Sequence, residues 1–344
     1  MVVTVTAGGA LASRTPFEQY LSAPVAGWML RDFASALLGA FMYKLFKIFL
    51  WLACIVVAIG AAGVIYAVVG SRQKLDRVVD LNVQPVAAAT SSAALERGKY
   101  LFDSRGCAEC HGPDGAGKVM LDSGGFFVKT PDITPAAGSV VANFTDLDWV
   151  KVIRHGVKPD NRPLLVMPSE DFARYTDDDI AAIIGYARSL PPAAGTPAEF
   201  RIPILVRLLY ALGFVRDAAE KIDHTLPPPQ PVAATDVLAH GAYVANACIG
   251  CHNPSLSGGP IEGGPPDWPP AANLTPGEDS AISRYPTEAA FAAMFKSGKR
   301  PDGSVVSNVM PFAMLKEFSS EDVAAVYAYI KTLPPMKPGE KKGP

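Results

Sequence analysis

Two short stretches decide the reading of this chain: Cys107-Ala108-Glu109-Cys110-His111 and Cys248-Ile249-Gly250-Cys251-His252. The 344 residues hold five cysteines and five histidines. Independent placement would give about 0.001 copies of Cys-x-x-Cys-His, so two copies are a signal. Cysteines three apart stand on one helical turn, and both sulfurs can reach the same edge of a bound group. The adjacent imidazole then faces its centre. This pattern predicts two haem c groups, tied by thioether bonds to Cys107 and Cys110 and to Cys248 and Cys251, with His111 and His252 on the irons. A zinc site needs a second Cys or His pair nearby, and neither motif has one. A redox dithiol needs a βαβ setting, and a disulfide framework would leave both histidines unexplained.

Working outward, the two halves align. Thr134-Pro135 and Thr275-Pro276 each follow their motif His by 23 residues. Trp149 and Phe291 each stand seven residues before a glycine, Gly156 or Gly298, and Pro159-Asp160 matches Pro301-Asp302. Met167-Pro168 then matches Met310-Pro311, 56 and 58 residues past the motif His. This is an internal duplication. A thioether sulfur on the far side of a haem completes six-coordination and raises its potential, so Met167 and Met310 are the expected axial partners of His111 and His252. Met120, Met314 and His155 compete for that role; Met314 has no counterpart in the first half, Ser297 stands where the repeat would place a second His155, and Met120 sits close after the motif in a loop rich in glycine. His155 is expected as a partly exposed residue at a helix end. His224 and His240 are expected on the surface, and Tyr100, Tyr243, Trp149 and Phe291 in the core around the haem edges.

Each half reads as short helices joined by long loops. Thr176 and Ser319 are placed to cap the last helix of each half, with Asp179 and Asp322 at its third position. The double prolines at 191–192 and 334–335 end those helices. No stretch shows sustained β alternation, and the expected fold is mostly α.

Ile48 to Val69 carries no charge, and its 22 residues extend about 33 Å as a helix, enough to cross a bilayer. It is also longer than the apolar core of a cleaved signal peptide. The expected layout is a cytoplasmic segment 1–47, a transmembrane helix 48–70, a tether 71–92, a first domain 93–195, a linker with an apolar helix 196–234, a second domain 235–338 and a tail 339–344. Met42-Tyr-Lys-Leu-Phe-Lys47 resembles a short positive leader, which makes Met42 an alternative start. Cys54, inside the apolar run, is expected to be an inert packing residue. Ile202 to Val215 is apolar but too short to span; it reads either as a helix packed between the domains or as a surface helix on a membrane or partner. The net charge of −2 gives no basis for binding nucleic acid.

These residues resemble the class I c-type cytochromes over roughly 93–195 and 235–336. Asp132-Ile-Thr-Pro135, Arg154-His155-Gly156, Met167-Pro168, Ser189-Leu-Pro-Pro192 and the segment beginning Arg201-Ile-Pro203 are similar to the cytochrome c subunits of membrane-bound bacterial alcohol, aldehyde and gluconate dehydrogenases. Those subunits typically carry three haems, whereas two motifs stand here. The resemblance implies an electron carrier, not an enzyme. It would work between a periplasmic dehydrogenase or quinol-oxidising complex and a terminal oxidase or soluble carrier. Haem c is attached on the outer side of the bacterial cytoplasmic membrane, so the expected place is the inner membrane, single-pass, with the haem domains in the periplasm. The rival readings are a dihaem peroxidase, which would need a labile sixth site, and a docking subunit of a dehydrogenase.

Overall fold

The computed structural model describes residues 24–195, 197–262, 264 and 267–341. Residues 1–23 of the expected segment 1–47 and residues 342–344 of the expected tail 339–344 lie outside the described residues. The first part of the chain runs α1 (Pro24–Leu75), α2 (Ser92–Ser104), α3 (Cys107–His111), β1 (Val119–Ser123), β2 (Phe126–Lys129), α4 (Asp146–His155), α5 (Ser169–Phe172) and α6 (Asp177–Ser189). Then follow β3 (Glu199–Arg201), α7 (Ile204–Ala211), α8 (Ala218–Lys221), α9 (Val237–Val244), α10 (Ile249–His252), α11 (Glu288–Ser297), α12 (Phe312–Leu315) and α13 (Ser320–Thr332), with 3-10 turns at Ala245–Cys248 and Ile282–Arg284.

The fold is mostly helical, and the same design is built twice. In each half the first helix crosses the last, α2 on α6 and α9 on α13. A glycine sets each crossing. A Cβ on Gly98 would fall 2.0 Å from the Ala182 carbonyl oxygen, and one on Gly241 2.0 Å from that of Ala325. Only a residue without a side chain lets the helices approach so closely. Thr176 and Ser319 cap α6 and α13, accepting from the amides of Asp179 and Asp322. Leu190 and Leu333 leave the helix for extended backbone, the conformation that a following proline imposes.

Each half has its own core. Trp149, Val150, Ile153, Ile180, Ile183 and Ile184 fill the first, with Cys107 and Met167 packed at its margin. Phe291, Phe295, Phe318, Val323, Val326 and Ile330 fill the second, with Cys248 and Met310 at its margin.

Three features differ from the sequence reading. The first half carries a small antiparallel sheet, in the order β1-β2-β3. Its strands are three to five residues long, too short for alternation to register. The stretch after α1 is not a free tether: the Val79 amide donates to Asn161 O and the Ala89 amide to Ala181 O, and Val83, Val86 and Ala88 pack on the first core. Cys54 is exposed on the surface of α1 and is not packed in a core.

Candidate functional site

The two motif turns have matching surroundings. His111 Nδ1 lies 3.0 Å from the Pro131 carbonyl oxygen, and His252 Nδ1 lies 2.8 Å from that of Ala272; each carbonyl stands 20 residues past its histidine. A carbonyl only accepts, so Nδ1 holds the proton in each ring and Nε2 keeps its lone pair. Burial pushes both imidazoles below their ordinary pKa, the carbonyl opposing it, which favours the neutral form that a metal ligand needs. The turn beyond is also duplicated: the Gly117 amide donates to His111 O and the Gly258 amide to His252 O.

The four motif cysteines form no disulfide. Burial pushes the Cys107 thiol up to about 12 and the Cys248 thiol up to about 11. Each pair would hold a porphyrin edge, and each histidine would face its iron. Ile133, Val141, Phe144, Trp149 and Arg188 line a cleft of about 260 Å³ beside the first core; none of the motif residues lines it.

Met167 and Met310 occupy equivalent turns. The amide two residues on donates to each methionine carbonyl, from Ser169 and from Phe312. Both methionines are half-buried. The rivals lie elsewhere. Met120 Sδ sits 3.4 Å from Cys110 Sγ, on the exposed strand β1. Met314 packs on the second core and faces Gly106 of the first half, 3.5 Å from where a Cβ would stand.

The histidines outside the motifs differ from expectation. His155 is buried, not partly exposed, and its Nδ1 lies 3.0 Å from Nδ1 of His224. Burial, followed by the His224 and Arg154 charges, pushes His155 down to about 4, so it is no helix-end cation. His224 and His240 are half-buried rather than fully exposed, and each has a partner: His224 meets His155, and His240 meets Asp322 at 2.7 Å.

His240 belongs to a network that joins the halves. The Tyr100 hydroxyl of the first half donates to Asp322 Oδ2 of the second at 2.5 Å and accepts from the Ser319 amide. Reciprocally, the Tyr243 hydroxyl donates to Asp179 Oδ2 at 2.7 Å and accepts from the Thr176 amide. Each tyrosine thus reaches out of its own core to the N-terminus of the other half's last helix. Arg97 forks onto Asp179 at 2.8 and 2.9 Å. Arg105, two residues before the first motif, is buried and meets Asp322 at 2.5 Å. Burial raises the Asp322 carboxyl, but the Arg105 charge and three hydrogen bonds outweigh it and hold the pKa below the usual carboxylate range.

The Met-bearing turns also cross over. Asp171, four residues past Met167, presses on the second motif, where a Cβ on Gly250 would fall 2.7 Å from Oδ2. Met314, four residues past Met310, stands near Gly106, the residue before the first motif. The contact is a pseudo-two-fold one, with the same patch used on both sides.

The cytochrome c family model matches the chain twice, over residues 95–191 and 238–334. This chain belongs to the cytochrome c family. Its two cytochrome c domains carry two haem c groups, and they mark an electron carrier and not a catalyst. The chain is similar to the cytochrome c subunit of the quinone alcohol dehydrogenase of Gluconobacter oxydans (strain 621H), 25% identical over 291 residues, covering 75% of this chain and 58% of the relative. It is similar to the fructose dehydrogenase cytochrome subunit of Gluconobacter japonicus, 24% identical over 285 residues, covering 73% and 55%. A dihaem c-type cytochrome of Cereibacter sphaeroides is 25% identical over 294 residues, covering 76% of this chain and 92% of its own. The chain therefore spans under two thirds of the two dehydrogenase subunits and nearly all of the dihaem cytochrome.

Sequence reasoning missed the carbonyls that orient the cytochrome's histidines and the whole network between its domains. The paired Tyr100 and Tyr243, Asp179 and Asp322 were visible in the repeat. Nothing in their spacing says that the bond runs across to the other domain.

Proposed function

We propose that this cytochrome is a membrane-tethered dihaem electron carrier. Cys107 and Cys110, and Cys248 and Cys251, hold the haems. His111 with Met167, and His252 with Met310, would hold the irons. Haem c, when bound, supplies an iron that gains and loses one electron. The chain does the rest. The Pro131 and Ala272 carbonyls fix each imidazole's tautomer and its rotation, as a group outside the ligand shell does at other metal sites. Met167 and Met310 offer neutral thioethers from half-buried turns, a soft ligand that favours the reduced state. The Tyr–Asp exchange and the Asp171 and Met314 contacts hold the two motif turns in a fixed relation. Little therefore needs to move when the charge changes.

The observation that carries the reading is the duplication of the whole ligand geometry: a carbonyl-oriented histidine and an equivalent Met-Pro turn in each domain. Long apolar helix α1, with its uncharged run at 48–69, supports the tether; haem c attachment, which takes place on the outer side of the bacterial cytoplasmic membrane, supports the inner membrane as its place and the periplasm as the side of the haem domains. The dehydrogenase subunits among its relatives support a partner that is a dehydrogenase or quinol-oxidising complex on one side, with an oxidase or soluble carrier on the other. Met167→Ala and Met310→Ala test the ligands. Each is expected to turn one haem high-spin and lower its midpoint potential while both haems stay covalently bound. An unchanged spectrum in either variant would remove that methionine from the ligand set.

A further inference from the structure

The inter-domain segment forms two layers. Its inner side is tied to the last turns of α1. A Cβ on Gly70 would lie 3.1 Å from the Ala211 Cβ of α7. Lys74 donates to the Tyr210 carbonyl at 3.0 Å and pairs with Glu220 at 2.9 Å. Arg77 forks onto Asp217 at 2.7 Å to both oxygens, and the Tyr210 hydroxyl donates to the same carboxylate. These bonds fix α7 beside the end of α1. Its outer side has no partner of this kind among the described residues. Leu205 is 61% exposed and Phe214 78%, and Phe200, Ile204 and Leu212 are exposed beside them.

This apolar surface continues onto the sheet. β3 leads into α7 and pairs with β2, and a Cβ on Gly125 would lie 3.7 Å from Pro203. On the edge strand β1, Val119, Met120 and Leu121 are exposed as well. Arg201 and Arg216 are exposed at the two ends of this segment, and Arg201 also pairs with Glu199 at 3.5 Å. An apolar patch of this extent is unusual on a soluble surface. Apolar side chains with arginines among them match the boundary between acyl chains and anionic headgroups.

The end of α1 decides the occupant. The uncharged run closes at Val69, and Gly70 is the residue that touches α7. If the run crosses the hydrocarbon, its end and α7 stand at one depth, the headgroup layer. We infer that α7 and its flanks, from Phe200 to Phe214, lie in the bilayer surface as a second membrane contact, next to the tether. This rests on the tether proposed above. It has a consequence for orientation. Met120, on the same sheet, lies against Cys110, so the first motif turn is the one carried down towards the membrane.

The test uses the full chain with its haems, reconstituted in vesicles of phosphatidylcholine and phosphatidylglycerol that carry a diazirine in the acyl chain. After photolysis, crosslinked peptides are mapped by mass spectrometry. Lipid adducts are expected both in 48–69 and in 200–214. The double variant Leu205→Asp/Leu212→Asp is expected to cut the second set several-fold and leave the first unchanged. Adducts in 48–69 alone would overturn the inference and leave the tether standing, and the patch would then belong to a protein partner. No adducts in 48–69 would remove the tether and the inference with it. Adducts in 200–214 that persist in the double variant would also overturn the inference, because they would not depend on the apolar face.

Discussion

Asp322→Asn keeps the shape of the side chain and removes its charge, and the structure sets how much that should cost. Asp322 accepts from Tyr100, Arg105 and His240. The Arg105 side chain is only 3% exposed, so its guanidinium cannot turn to water when the carboxylate goes. Breaking a buried pair by removing one partner costs about 3–5 kcal/mol. Arg105 keeps the Ser104 carbonyl and the faces of Tyr100 and Phe318, which places the expected loss near the lower end, about 3 kcal/mol. The equivalent change in the other half, Asp179→Asn, strands Arg97, whose side chain is 36% exposed. That guanidinium can rehydrate, and the expected loss is about 1 kcal/mol. Urea titration of the haem-loaded chain, followed by circular dichroism in the haem band, measures both. With a slope of about 3 kcal/mol per molar, Asp322→Asn should lower the midpoint by about 1 M and Asp179→Asn by a third of that. Asp322→Asn should also split the curve, because the pair spans both halves. Arg105→Met combined with Asp322→Leu should recover most of the loss, as apolar replacements of buried pairs do. Equal costs at positions 179 and 322, or a wild-type midpoint in Asp322→Asn, would refute the reasoning.

Three further outcomes are expected. His155 is held at about 4 by burial, His224 and Arg154, against an ordinary value near 6.5. The folded chain therefore resists the proton that the unfolded chain takes up. Stability from this residue is complete above about pH 6.5 and falls as pH drops towards 4; His155→Gln should flatten that stretch of a stability–pH curve. Gly98→Ala would drive a methyl into the Ala182 carbonyl, and a loss of several kcal/mol is expected from the forced helix separation. Thermal melting of the haem-loaded variant checks it. Gly250→Ala should loosen the domain contact through Asp171, and Asp171→Ala in the same chain should relieve the clash. A double-mutant cycle on urea midpoints reads this directly.

Much of the proposed site rests on the sequence, because a haem attachment motif is written in contiguous residues. Cys107, Cys110 and His111 need only one helical turn to come together, and the repeat singled out Met167 and Met310 as the proposed ligands by position. The helix caps at Thr176 and Ser319, and the stops at Pro191 and Pro334, were legible for the same local reason. What escaped depends on tertiary contact. The carbonyls of Pro131 and Ala272 carry no side-chain signature. The strands β1–β3 are too short to show a period, and β3 comes from the linker. Tyr100 looked like core because aromatic residues usually are, yet its hydroxyl needed a partner and found one in the other domain. Asp179 and Asp322 stood where a capping box would use them, and their carboxylates went to that joint instead. His155 and His224 are far apart in sequence, and only the fold reveals that they touch.

The measurement that tests the account most directly is near-infrared magnetic circular dichroism of the oxidised full chain, taken together with its electron paramagnetic resonance. The account predicts two low-spin ferric haems, both with the charge-transfer band of histidine–thioether ligation and no high-spin signal. A high-spin haem, or a pair of histidines on either iron, would contradict it.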